Sequence, residues 1–425
     1  MKRNRLSTLL AVSLTSVVLG AASMSPEPAA AAKEDRMTGY GQYEIMYHWN
    51  HLDWNFADPE MEREFEQNEY WKKALPAGIK TDEDGNTYVS VPRRAEGIPA
   101  TMNKIVMKDG KPLLEAYPSW EWNEAGNSDM LQHVLGYEID ERNRMWMLDQ
   151  GHLNGAPSEE GAQKIVIWDL TANKLVDSIK IPNDIAPYDT SMLNDLVVDN
   201  RNGYVYISDS GNTVPGTVRA GLIVYNMKTG EFRRVLDRHE STQPYPGFRF
   251  SIAGHPVQED KPVQTGVDGI ALSADRLALY YTPLTGRNLY AIPTAVLNNF
   301  NLPLEDVASE VRAIGSKGSN SDGMYADNQG NIWYTMLEGQ GIGYYDPQTR
   351  TFQDFVSDDR MLWVDGLFVD RDGSVIFNSN RLHQMFGTPE LIDWSNPYNL
   401  IVWKAKTGDD LRSYVYAKPQ PAAKQ

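Results

Sequence analysis

One pattern constrains this chain more than any other: a short hairpin that recurs six times. It begins as "GIKTDEDGNTYVSV" at Gly78, "GYEIDERNRMWMLD" at Gly136 and "DLVVDNRNGYVYISD" at Asp195. It continues as "GIALSADRLALYYT" at Gly269, "GMYADNQGNIWYT" at Gly323 and "GLFVDRDGSVIFNS" at Gly366. Each copy is a Gly or Asp, an apolar strand, a polar turn and an aromatic-bearing strand. The copies are 43 to 74 residues apart. A second kind of hairpin comes after several of them, as in "KIVIWDLTANKLVDSIKIP" from Lys164 and "GLIVYNMKTGEFRRVLD" from Gly221. "GIGYYDPQTRTFQDFV" from Gly341 does the same, and "LIVWKAKTGDDLRSYVY" from Leu400 reads as the hairpin that closes the chain. Two hairpins make a four-stranded antiparallel sheet, and such sheets repeated around an axis make a β-propeller. The expected fold is all-β, a six-bladed propeller. Helices of 10 to 15 residues between strands, which a parallel α/β fold needs, are missing. Short helical pieces are expected near "DPEMEREFEQNEYWKKAL" (Asp58 to Leu75) and "PTAVLNNF" (Pro293 to Phe300).

A ring of blades turns equivalent positions into neighbours. The residue before each repeat is Ala77, Leu135, Asn194, Asp268, Asp322 or Asp365. Three Asp and one Asn from consecutive blades are therefore expected to meet at one end of the channel. The Gly after each Asp is expected to let the backbone turn sharply. Carboxylates brought together repel, so one must hold a proton or a cation must lie among them. Oxygen donors without thiolates suit Ca²⁺ or Mn²⁺ better than a closed Zn²⁺ site. Asp268, Asp322 and Asp365 are the candidate metal ligands, and Asn194 joins them as a candidate ligand-binding residue. The alternative is that each Asp caps its own turn through backbone N–H groups.

Composition narrows the class. The 425 residues include no Cys and carry a formal net charge of −17. That excludes disulfides and thiolate chemistry, and it speaks against a phosphate backbone as partner. Lys2, Arg3 and Arg5 precede an apolar run from Leu6 to Leu19 and then small residues, the pattern of a cleaved secretory signal. The organisation read from this is a signal peptide over 1–32, an N-terminal extension over 33–70 and one propeller domain over 71–425. The expected location is secreted or periplasmic, without membrane attachment after cleavage. Nucleophile-elbow, zincin, phosphate-loop and dinucleotide motifs are absent from the sequence, so no catalytic residue is assigned. His152, His255 and His383 read as structural or surface residues. Arg93, Arg94 and Arg287 read as partners of acids. The insertion "STQPYPGFRFSIAGHP" (Ser241 to Pro256) reads either as a cover for the channel mouth, with Phe248, Arg249 and Phe250 as part of a lid, or as a segment that packs on the rim.

Longer stretches resemble a known family. "VPRRAEGIPATMNKI", "AYPSWEWNEAG", "IDERNRMWMLDQG", "LNDLVVD", "LALYYTPLTGRNLYAI", "SNSDGMYADNQGNIWY" and "NSNRLHQMF" are similar, in that order, to the yellow and major royal jelly proteins. The resemblance runs from about Trp71 to Trp403 and implies a six-bladed propeller and secretion. It points to a bacterial relative, because the insect members commonly use disulfides. Its members include proteins linked to dopachrome conversion, amine binders and storage proteins, so it implies no single activity and no shared catalytic set. The gluconolactonase and regucalcin propellers are more distantly similar. That resemblance matches Asp322 to a metal-binding Asp and Asn194 to a substrate-contacting Asn. Asp268 stands where those enzymes have a metal-binding Asn, and their first-blade Glu has no counterpart. The expected function is binding of a small aromatic or amine-like molecule in the channel. The alternatives are an enzyme, either an isomerase of the dopachrome tautomerase type or a divalent-metal-dependent lactonase, and a non-catalytic interaction or storage module.

Overall fold

The computed structural model describes residues 42–212, 216–385, 387–408 and 410–417. The expected signal peptide lies outside them. Six four-stranded antiparallel sheets succeed one another around an axis. Blade 1 is Ile79–Thr81, Thr87–Ser90, Met102–Lys108 and Lys111–Ala116. Blades 2, 3, 4 and 5 open with Val134–Ile139, Leu193–Asp199, Val267–Leu272 and Met324–Ala326. Blade 6 runs Trp363–Val369, Ser374–Asn380, Leu400–Lys406. In every blade the repeated hairpin supplies the two inner strands, where its apolar residues are buried on both faces.

The last blade departs from the sequence reading. "LRSYVY" does not return as a strand; Tyr414–Tyr416 is a 3₁₀ turn. The fourth strand is instead Gln42–Trp49, paired antiparallel with Leu400–Lys406. Part of the segment read as an extension before the propeller thus closes the ring. "YEIMYHW" supplies alternating, aromatic-rich residues suited to an outer strand. The two short helices form as expected, over Pro59–Gln67 and Thr294–Leu297. Residues 413–417 cross the far end of the channel. Tyr414 is fully buried there, under the Arg276 guanidinium and against Tyr325.

Glycines after the ring positions do a different job from the one expected. Gly136, Gly269, Gly323 and Gly366 do not have the left-handed backbone. A Cβ on each would lie 2.4, 2.5, 2.6 and 2.6 Å from the carbonyl oxygen of Asn194, Asp322, Asp365 and Ala77, on the next blade. Close approach of blade to blade, not turning, requires them. We expect Gly136→Ala to lower stability by about 2 kcal/mol through overpacking. Gly408→Ala, where a Cβ meets nothing within 4 Å, should change it little. Urea midpoints of the two variants check this, and equal midpoints would refute it.

Candidate functional site

The inner strands carry β-bulges where the ring positions fall. Pairing shifts between Val134 and Tyr137, Leu193 and Leu196, Val267 and Ile270, and Val364 and Leu367. A bulge bends its strand and re-aims a side chain. Here it turns Leu135, Asn194, Asp268 and Asp365 toward the axis. Their neighbours' backbone N–H groups are satisfied from the second strand: Ser208 accepts from Asp195 at 3.1 Å, and Asn378 from Gly366 at 2.9 Å. In blade 5 Thr335 accepts from the N–H of Asp322 itself, at 2.9 Å. The carboxylates are therefore not consumed in capping their own turns.

All six ring positions line one axial cavity: Ala77, Leu135, Asn194, Asp268, Asp322 and Asp365. The alternative of isolated caps does not describe them. Asn194 donates to Asp268 at 2.8 Å, the Trp363 indole N–H to Asp322 at 2.7 Å, and Asn380 to Asp365 at 2.9 Å. Asp268 and Asp322 are buried side by side, so that ionising one raises the cost of ionising the other. Burial, and then the charge of Asp322, push Asp268 and Asp365 well above the usual carboxylate range. Burial also raises Asp322, against the pull of Trp363, Asp268 and Arg94. Burial and mutual repulsion thus both disfavour full ionisation of the ring. The cavity has about 40 Å³, room for a few waters or a compact cationic head; a benzene-sized ring needs roughly 150 Å³.

Above the ring the mouth is aromatic. Trp363 stacks on His383 with centroids 6.4 Å apart, and Phe250 lies 6.2 Å from Trp363. The insertion packs on Trp363 through Phe250, while Arg249 donates to the Glu259 carbonyl a few residues on. Phe248 packs under the Arg287 guanidinium, which is paired with Glu338 at 2.7 Å. Arg93 is structural: its guanidinium donates to five backbone carbonyls, those of Ile98, Leu131, Gln132, Pro99 and Asn123. Arg94 is not. It faces Asp365, Asp322 and Asp268, yet among the described residues it has no ion pair within 4 Å. His152 has its ring nitrogens on the carbonyls of Ala156 and Ser191, and His255 is exposed. His383 is the one of the three that comes to the site.

Adjoining the ring is a cluster that sequence reasoning missed, Lys80, Glu138 and Asp195 from blades 1, 2 and 3, of which Lys80 and Asp195 line the same cavity. Lys80 lies over the Tyr325 ring at 4.5 Å. Tyr325 and Tyr414 donate to Glu138 at 3.1 and 3.4 Å. Burial pushes Glu138 up to about 7 and Asp195 up to about 6, with Lys80 opposing both.

A divalent cation fits this donor set poorly. Among the described residues no three acidic or His side chains gather around a point that could hold a metal ion. Arg94 faces all three ring carboxylates, and Lys80 lines the same cavity.

Sequence comparison identifies the family. The chain matches the family model described as "Major royal jelly protein" over residues 132–412. It is 31% identical to Major royal jelly protein 9 of Apis mellifera over 314 residues, 68% of this chain and 70% of the relative. It is 29% identical to Major royal jelly protein 3 of Apis mellifera over 311 residues, 70% of this chain but 54% of that longer relative. Among solved structures, a gluconolactonase from Xanthomonas campestris superposes with a TM-score of 0.47 at 12% identity, over 89% of this chain and 93% of that one. A calcium-binding regucalcin from Agrobacterium tumefaciens gives 0.47 at 12%, over 81% and 92%. Likeness at that level carries nothing about chemistry. The family rests on the sequence matches, which run through the ring positions of blades 2 to 6: the chain belongs to the major royal jelly protein family.

Proposed function

We propose that this chain is an exported protein that binds a small amine bearing an aromatic group, at the acidic end of its channel. One observation carries the reading: Asp268, Asp322 and Asp365 converge in a cavity too small for a ring, with Trp363, His383 and Phe250 packed beside it through the Trp363–Asp322 hydrogen bond. An ammonium group fits the floor, where buried carboxylates hold it strongly. The ring fits the mouth, where it stacks on the indole. Export is supported by the basic and then apolar start of the sequence.

Calorimetric titration with tyramine tests this against tyrosol, its neutral alcohol counterpart. Tyramine should bind at least about 30-fold more tightly than tyrosol, the value of a desolvated charge pair. Asp322→Asn should remove that preference. Equal binding of the two compounds, or no binding of tyramine, would overturn the reading.

Two further readings have one observation each. Three carboxylates lining one cavity are the feature that favours Ca²⁺ or Mn²⁺, and the cationic side chains of Lys80 and Arg94 beside them oppose it. A rise in melting temperature with either ion, abolished by Asp322→Asn, would support that reading. Buried carboxylates held above their usual range at Asp268 and Asp365 favour an isomerase that moves a proton on its ligand.

A further inference from the structure

Two residues before each ring position stands a second tier: Leu75, His133, Met192, Gly266, Asn320 and Trp363. Its backbone is repeated from blade to blade. The carbonyls of His133, Met192, Gly266 and Asn320 accept from the N–H groups of Gln150, Ser210, Leu284 and Leu337 at 3.0, 3.0, 3.0 and 3.1 Å. Residues two apart on extended chain face the same way. Trp363 obeys that rule, since its indole reaches Asp322 in the ring below. Asn320 stands at the equivalent position of blade 5, two residues before Asp322. It is fully buried, and neither atom of its side-chain amide has a partner among the described residues. Buried amides are nearly always hydrogen-bonded, and an unpaired one calls for a reason. Nearby, burial and Arg94 push the His133 imidazole down to about 3. It therefore stays neutral, and the positive charges near the ring are those of Arg94 and, on the side of the Glu138 cluster, Lys80.

We infer that the ligand is a zwitterion, an aromatic α-amino acid whose ammonium lies on Asp322 and Asp365 and whose carboxylate meets Arg94 and the Asn320 amide N–H. This rests on the amine reading and narrows it. A simple amine leaves Arg94 repelling the ammonium and leaves Asn320 unpaired. A carboxylate on the neighbouring carbon converts the repulsion into a charge-assisted hydrogen bond, and the planar guanidinium suits it. The ammonium and the α-carbon occupy the small cavity, and the ring again lies toward Trp363.

Titrating the full chain at pH 7 with L-tyrosine, tyramine and 3-(4-hydroxyphenyl)propionate separates the possibilities. We expect L-tyrosine to bind at least tenfold more tightly than tyramine, and the propionate not to bind. Arg94→Gln should weaken L-tyrosine at least tenfold and tighten tyramine, while Asn320→Leu should weaken L-tyrosine alone. Tyramine binding as tightly as L-tyrosine would overturn the zwitterion and leave the amine reading standing. Binding of the propionate without either amine, or of none of the three, would overturn both.

Discussion

Replacing Glu138 with Gln should flatten the loss of stability between acid and neutral pH. Glu138 lies deep in the channel among Lys80, Asp195, Tyr325 and Tyr414, and burial raises it from 4.5 to about 7. Between those values the folded chain holds a proton that the unfolded chain has released. Stability from this group is therefore complete below about pH 4.5 and lost as pH rises through about 7. The loss amounts to roughly 3 kcal/mol above pH 7. Asp195, raised from 3.8 to about 6, adds a decline of the same sign at lower pH. Gln keeps an oxygen for the Tyr325 hydroxyl but has no proton to lose. The variant should match the parent at pH 4.5 and exceed it by about 2 kcal/mol at pH 8, less than the full amount because Lys80 loses a partner. Urea midpoints measured at both pH values decide it. Parallel midpoints in the two proteins would mean that Glu138 does not titrate in this range.

That cluster and the acid ring were not equally legible. The ring could be read because the residue before each repeat becomes a neighbour of its equivalents once six blades close, and Asn194, Asp268, Asp322 and Asp365 all line the cavity. The same alignment moved two residues toward the N-terminus contains His133, Asn320 and Trp363. Moved three the other way it contains Lys80 and Glu138 in place of the apolar residues an inner strand prefers. Both signals were in the sequence, as polar residues in strands that are otherwise apolar. Arg93 and Arg94 could not be told apart by spacing. One turns back to five carbonyls and the other faces the acids, a choice made by contacts distant in sequence. The outer strand of blade 6 was hidden for the same reason. Local pattern pairs Leu400–Lys406 with the next residues of the chain, whereas the fold pairs it with Gln42–Trp49, some 350 residues earlier. The glycines were recognised as necessary but for the wrong cause, since a close approach between blades leaves no trace in local sequence.

The identity of that outer strand sets the largest effect expected of any change to this chain. A protein beginning at His51 should fail to fold, whereas one beginning at Arg36 should fold. Gln42–Trp49 pairs along its length with Leu400–Lys406. Tyr43 packs edge-on against Trp403 at 5.8 Å and donates to Asp358 at 2.8 Å. Trp49 donates from its indole to Pro112 of blade 1 at 2.7 Å, across the seam where the ring closes. Burial of two large aromatics contributes about 2–3 kcal/mol each, and ladder hydrogen bonds about 1 kcal/mol apiece. Together these approach the whole stability of a typical domain, about 5–15 kcal/mol. Leu400–Lys406 would also become an unpaired edge, open to association. The site depends on the same seam. Asn380, which holds Asp365, also donates to Pro76 at 2.8 Å, and Asn378 donates to Ala77 at 2.7 Å. A ring that opens there loses the convergence of its acids along with its stability. Trp49→Ala, at a cost of about 3 kcal/mol, gives a graded form of the experiment, with fold retained and both melting temperature and tyramine affinity reduced. A chain starting at His51 that melts within a few degrees of one starting at Arg36 would show that blade 6 closes without its outer strand.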